Sequence, residues 1–222
     1  MIYMIDTANI DEIKDAKEYY PLNGVTTNPT IIAREEKNPI DLLKEIRAII
    51  GDDSMLHVQV LSRKAKEMLD DADYLKNYVG GNLYIKVPVT KEGIKAIKML
   101  KETGYKVTAT DIFTVQQGLM AAVAGADYIV PCINRIESLN LDGVGVVENL
   151  VNLIKKYRLD AKILAESFKN IQQVDDISKV GGESITINKE IFDKLLENYM
   201  TDLSVENSIE NWKKVFGVCA LV

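Results

Sequence analysis

The chain has 222 residues, 47% of them apolar, with one histidine, two cysteines and a formal net charge of -6, which suffices for a substantial core in one domain or at most two. The single histidine, His57, excludes a His-rich metal site, and Cys132 and Cys219 lie too far apart for a metal-knuckle spacing and suit free thiols. A mildly acidic chain without a basic stripe excludes nucleic acid as a partner, no apolar run approaches the roughly 18 residues of a membrane span, and "MIYMIDTANID" lacks the basic flank of a signal peptide, so a cytoplasmic protein is expected.

In chain order, eight β-rich runs stand out at residues 2–5, 24–27, 56–60, 83–87, 106–109, 128–130, 162–165 and 184–187. Between them lie stretches such as "DLLKEIRAII", "RKAKEMLDDADYLKNYV" and "KEGIKAIKMLKETG", with apolar residues at helical spacing and charges on the opposite face. Thr90 can cap the start of the third of these and Gly104 can close it. Eight β-α units in one chain of this size predict a single (β/α)₈ TIM barrel, because parallel strands need helical crossovers and crossovers of one hand can close on themselves. An open doubly wound sheet is the competitor, but "GVGVVE" (143–148) lacks the third glycine of a phosphate loop and follows no marked strand. Residues 1–222 are read as one barrel domain, with about 200–222 as a C-terminal helical extension.

Barrels of this kind place their chemistry where strands end. The polar residues there are Asp6, Asn28, Gln59, Lys86, Thr110, Asn134, Arg135, Ser167 and Lys169. Each has a plain structural alternative: Asp6 and Asn28 suit helix caps, Thr110 an ordinary strand end, Arg135 a surface ion pair. Their convergence from at least seven strands on one rim is the signal. Lys86 is the sharpest of them. In the alternating run "LYIKV", Leu83, Ile85 and Val87 share the face toward the helices, so Tyr84 and Lys86 point inward. Burial should lower the pKa of such a lysine toward the range of a free amine, a nucleophile for carbonyls whose Schiff base is an electron sink for breaking a carbon–carbon bond. The alternative is an inward lysine paired with a barrel carboxylate such as Asp6. His57 shares the parity of Gln59 and reads as a hydrogen-bonded core histidine.

"MIDTANIDEIK", "GVTTNPTII", "IKVPVTKEGIKAIKMLKETG", "QQGLMAAVAGADYIVPCINRIE", "AESFKN" and "ESITIN" together resemble, in order and spacing along essentially the whole chain, the transaldolase family and its short fructose-6-phosphate aldolase-like branch. The resemblance implies a class I aldolase that needs no metal or other cofactor and forms its Schiff base on Lys86. It implies that Asp6 and Asn28 orient the donor and the lysine, that Gln59 and Thr110 hold a catalytic water, and that Arg135, Ser167 and Lys169 receive the phosphate of a small-molecule sugar phosphate. It further implies a homo-oligomer, a decamer of two pentamers, in which the C-terminal helix packs on a neighbour. The stripe Ile209, Trp212, Val215 and Phe216 in "SIENWKKVFGVCALV" is the surface that would need such a cover.

Neither Gln59 nor Thr110 titrates, which leaves Asp6 and the Lys86 amine as the evident ionisable partners of that water. The chain departs from the pattern at three positions. Gln59 stands where transaldolases proper carry glutamate; Cys132 replaces a phenylalanine or tyrosine; Val130 replaces a serine or alanine and should narrow the pocket around the donor's terminal hydroxyl. A thiol at 132 should leave the water loosely held and ketose cleavage weak, so that Cys132→Tyr would raise it. Three readings follow: an aldolase cleaving a phosphorylated ketose such as fructose 6-phosphate to dihydroxyacetone and glyceraldehyde 3-phosphate, a transaldolase passing the three-carbon unit to an aldose phosphate, or a weakly active sugar-phosphate-binding homologue. Lys86 argues against the third, and Gln59 separates the first two.

Overall fold

The computed structural model describes residues 1–220. In chain order the elements are β1 (Ile2–Asp6), α1 (Ile10–Tyr19), β2 (Leu22–Thr26), α2 (Pro29–Arg34), α3 (Pro39–Ile50), β3 (Met55–Gln59), α4 (Ala65–Val79), β4 (Leu83–Pro88), α5 (Lys91–Glu102) and β5 (Lys106–Ile112). They continue with α6 (Val115–Val123), β6 (Tyr128–Pro131), α7 (Ile133–Glu137), α8 (Gly143–Tyr157), β7 (Lys162–Ala165), α9 (Ile171–Lys179), β8 (Ser184–Ile187), α10 (Lys189–Leu196) and α11 (Tyr199–Phe216). The strands are parallel and pair in sequence order, with β1 also pairing β8, so the sheet closes into the expected barrel. That closure excludes the open doubly wound sheet, and the "GVGVVE" stretch simply opens α8.

Local chemistry explains the element ends. Thr90 accepts a hydrogen bond from the Gly93 amide at 3.0 Å and starts α5, and Gly104, at φ 80°, follows its last turn. Gly93 is required by a close approach: a Cβ there would lie 1.9 Å from the Pro88 carbonyl oxygen, so α5 could not seat against the end of β4. The one strand end that departs clearly from the sequence expectation is that of β5, which continues past Ala109 to Ile112. Its register with β6 slips between Ala109 and Ile112, and Asp111 takes the left-handed φ of 56°, a bulge that period-2 alternation does not reveal.

The core lies in two shells. Outward-facing strand residues such as Ile5, Val25, Ile85, Val87, Val107, Ile129 and Ile185 are fully buried under the helices. Inside the barrel, Met4, Tyr128, Val130 and Leu164 form one cluster, with Tyr84 and Met55 packed on it. Val130 is therefore fully buried within the barrel interior. At roughly 1.5–3 kcal/mol for each large apolar side chain buried, these shells supply the barrel's main driving force.

The chain divides into two compact units, Met1–Phe192 and Asp193–Val222. The first holds the closed barrel. The second holds α11, which starts at Tyr199, within a residue of the expected onset of the extension, and in which no residue is buried. Trp212 and Phe216 pack against each other on its surface in a tilted arrangement, with ring centroids 4.3 Å apart. The last two residues of the expected extension lie outside the described residues.

Candidate active site

Lys86 sits on β4 in register with Gln59 of β3 and Thr108 of β5, and it is 1% exposed. Its Nζ crosses the barrel to Glu166, just past β7, and donates to Oε2 at 3.3 Å. β4 and β7 are not neighbours, so this contact can only run through the interior. The other carboxylate oxygen of Glu166, Oε1, accepts from the Cys132 thiol at 3.1 Å and from the Thr110 hydroxyl at 3.4 Å. Three donors, from β4, from β5 and from just past β6, thus meet at one carboxylate.

Glu166 is not among the residues expected from sequence, and its presence corrects the expectation that Asp6 and Lys86 are the only evident ionisable groups here. The signal for it is parity. In "KILAES", Ile163 and Ala165 are buried toward the helices, which turns Leu164 and Glu166 inward. That the inward carboxylate meets a lysine 80 residues away is information carried only by closure.

Glu166 also corrects the electrostatics of Lys86. Burial by itself pushes the ammonium pKa down, as expected, but the charges of Glu166 and Asp6 and the hydrogen bond to Glu166 outweigh it, and the net shift is upward. The resting lysine is therefore an ammonium clamped between carboxylates, and it must hand a proton away before it can act as a nucleophile.

Asp6 lies on the same charge cluster. Its Oδ1 accepts from Thr26 at 2.8 Å, which leaves the Thr186 hydroxyl, 2.6 Å from that of Thr26, as the donor to Thr26. Burial raises the Asp6 pKa to about 6, helped by the negative charge of Glu166 and opposed by Lys86, the Thr26 bond and Arg135. Asp6 is not a helix cap; Asn9 caps α1. His57 is the core histidine expected: its Nδ1 pairs with the Thr108 hydroxyl at 2.8 Å, its ring stacks on Tyr84 at 4.5 Å, and burial with the charge of Lys86 holds it neutral, well below its ordinary pKa.

The remaining expected residues are distributed more loosely. Asn28 caps α2, its Oδ1 accepting from the Ile31 amide at 3.0 Å, which leaves its amide nitrogen to donate to a ligand. Gln59, half-buried at the end of β3 and in register with Lys86, lines a rim cleft of about 480 Å³ formed by the segments that follow β3 and β4. Thr110 bonds Glu166 directly. Cys132 is fully buried, and burial together with the Glu166 charge and hydrogen bond pushes its thiol far above the usual range, so it keeps its proton and donates. The thiol is thus fixed on a carboxylate, a partner that the expectation of a thiol bordering loosely held water did not include.

Asn134 and Arg135 lie on α7, whose Asn134 amide donates to the Ser167 carbonyl at 2.9 Å and so ties the two rim segments together. Ser167 has the left-handed φ of 69°, a backbone strain of the kind that clusters at ligand sites. Arg135 is exposed and pairs with Asp111 at 3.3 Å, which realises its plain alternative as a surface ion pair, and Lys169 is exposed on the same rim. The geometry offers an interior lysine with two carboxylates, and a cationic rim above it.

Residues 3–217 match the family model described as transaldolase/fructose-6-phosphate aldolase. A probable fructose-6-phosphate aldolase of Streptococcus pneumoniae is 42% identical over 213 residues, which is 96% of this chain and 96% of that protein.

Proposed function

Because the chain belongs to the transaldolase/fructose-6-phosphate aldolase family, we propose that it is a class I aldolase in which Lys86 forms a Schiff base with a phosphorylated ketose of the fructose 6-phosphate type. The observation that carries this reading is a lysine 1% exposed inside the barrel, at the strand ends where such barrels do chemistry. Once the amine has added to the ketone and water has left, the iminium nitrogen can accept the electron pair of the adjacent carbon–carbon bond. The bond breaks as a base removes the hydroxyl proton beyond it. An aldehyde such as glyceraldehyde 3-phosphate departs, and the enamine left on Lys86 is protonated and hydrolysed to dihydroxyacetone. Asp6, with its pKa raised to about 6, suits the base.

Asn28 and Asn134 orient hydroxyls at the rim. Arg135, Ser167 and Lys169 receive the phosphate: the Arg135–Asp111 pair is exposed and weak, and a dianion taken by the planar guanidinium fork displaces it. Gln59 orients water but supplies no proton itself; that transaldolases proper carry glutamate at this position is what supports release of the three-carbon unit over retention for transfer. Transaldolase activity is the second reading, and Gln59 is the residue on which it turns.

The test is a panel of ketose phosphates assayed with and without an aldose phosphate acceptor, together with borohydride trapping in dihydroxyacetone and peptide mapping by mass. Free dihydroxyacetone without acceptor, and an adduct on Lys86, are expected. An adduct on another lysine, or none, sinks the mechanism; release that depends wholly on the acceptor makes it a transaldolase.

Among the described residues no helix is long and apolar enough to cross a membrane, and a cytoplasmic location is part of this proposal. So is assembly, with residues 1–222 forming one barrel domain with its extension. Val205, Ile209, Trp212 and Phe216 repeat at helical spacing on α11 and are all exposed, a stripe that a second copy of the chain would cover. Light scattering should give a large homo-oligomer, a decamer on the family pattern, and truncation before Asn207 should reduce it. A monomer whose size the truncation leaves unchanged refutes the assembly.

A further inference from the structure

We propose that Glu166 is the acid–base group of imine formation and release, taking protons from the Lys86 nitrogen and delivering them to the ketone oxygen that departs as water. This rests on the Schiff-base reading above and assigns a residue that reading leaves unused. The balance of the step is what requires such a group. An ammonium carries three hydrogens and the iminium nitrogen one, while the ketone oxygen must collect two to leave as water. Lys86–NH₃⁺ gives its first proton to the Glu166 carboxylate, and its lone pair forms the C–N bond as the carbonyl pair moves to oxygen. That oxygen takes the proton back from Glu166. The nitrogen then surrenders a second proton to the same carboxylate, which passes it to the hydroxyl as the C–O bond breaks and the nitrogen lone pair forms C=N. Glu166 ends ionised, as it began, and hydrolysis runs the sequence in reverse.

The geometry selects Glu166 among the groups present. It is the carboxylate hydrogen-bonded to Nζ, through Oε2 at 3.3 Å. Oε1 is held by the Cys132 thiol and the Thr110 hydroxyl, both donors, so the carboxylate plane is fixed while Oε2 stays free to exchange protons. Asp6 acts on Lys86 through its charge, but its Oδ1 is held by Thr26. Gln59 carries no transferable proton. The titratable and charged groups around Glu166 are Lys86 and Asp6 inside the barrel, Cys132 beside it, Arg135 and Asp111 toward the rim, and neutral His57 below. Cys132 keeps its proton there, which makes it a positioning residue for the carboxylate and no rival nucleophile.

A relay and a mere ion pair predict opposite signs for one variant. If Glu166 only neutralises Lys86, Glu166→Gln destabilises the ammonium, frees more amine at neutral pH and speeds imine formation. If Glu166 moves the protons, Glu166→Gln slows it by on the order of 10²-fold despite the freer amine. The measurement is the time course of borohydride-trapped dihydroxyacetone adduct at neutral pH, mapped to Lys86, in the parent and in a variant shown by circular dichroism to be folded. A slower time course that still ends on Lys86 supports the relay; an equal or faster one overturns it. No adduct on Lys86 in the parent sinks the Schiff-base reading itself, which keeps the two failures apart. If the glutamine variant does not fold, Glu166→Ala with added formate carries the test: formate should restore trapping by supplying a carboxylate in the vacated space, and a folded variant indifferent to formate overturns the relay.

Discussion

Replacing Lys86 with methionine is expected to lower ketose cleavage by at least about 10⁴-fold, the scale on which loss of a covalent nucleophile is felt, and to remove borohydride labelling entirely. The same substitution should also report on the electrostatics of the barrel. Lys86 is the cation between Glu166 and Asp6, and its removal leaves two buried negative charges facing each other. Breaking a buried pair from one side typically costs about 3–5 kcal/mol, so the variant should unfold at markedly lower denaturant at pH 8. The loss should depend on pH in a defined direction. Burial already holds the Asp6 pKa above its unfolded value, and loss of the ammonium that opposes this raises it further, so the folded state gains a proton more readily than the unfolded one. Stability relative to the parent is then recovered as pH falls through that raised value toward the unfolded carboxylate pKa of about 4, below which the group is protonated in either state. Denaturant midpoints at pH 8 and pH 5 check this; a deficit that is constant with pH would place the damage in packing.

Replacing Asp6 with asparagine is expected to lower cleavage by on the order of 10²–10⁴-fold while leaving imine trapping on Lys86 in place, because the proposed mechanism gives the two carboxylates different proton transfers. In the parent, cleavage should rise with pH through about 6, as Asp6 loses its proton and becomes a base, and the variant should lack this limb. The stability effect has the opposite sign to that of Lys86→Met. A carboxylate whose folded pKa is raised opposes folding once it ionises, so the parent carries a cost above pH 6 that is absent below about 4. Asparagine keeps an acceptor for Thr26 and removes that charge, so the variant should be more stable at pH 8 by on the order of 1–3 kcal/mol, with no advantage at pH 4. Loss of trapping together with cleavage would show that Asp6 also acts on the lysine nitrogen.

The barrel is legible in the amino-acid sequence, and so are the inward Lys86, the core histidine His57 and the capping roles of Asn28 and Thr90. Period-2 runs separated by 3.6-period stretches are local properties, written within ten or fifteen residues of each other, and eight of them in one chain allow few arrangements. The inward direction of Lys86 follows from the same local rule, because alternation along "LYIKV" needs no knowledge of the other strands. What that rule cannot say is what stands opposite. The extension of β5 past Ala109 depends on a bulge at Asp111. The pairing of Lys86 with Glu166, and of Glu166 with Cys132 and Thr110, depends on shear and closure, which set the heights at which β4, β5, β6 and β7 present their side chains to one interior. Sequence alone therefore determined the scaffold and the inward lysine while predicting that burial would lower its pKa. The tertiary structure reversed that sign, since desolvation is a property of one residue's depth but the Coulomb energy that offsets it belongs to charges brought within a few ångströms from far along the chain.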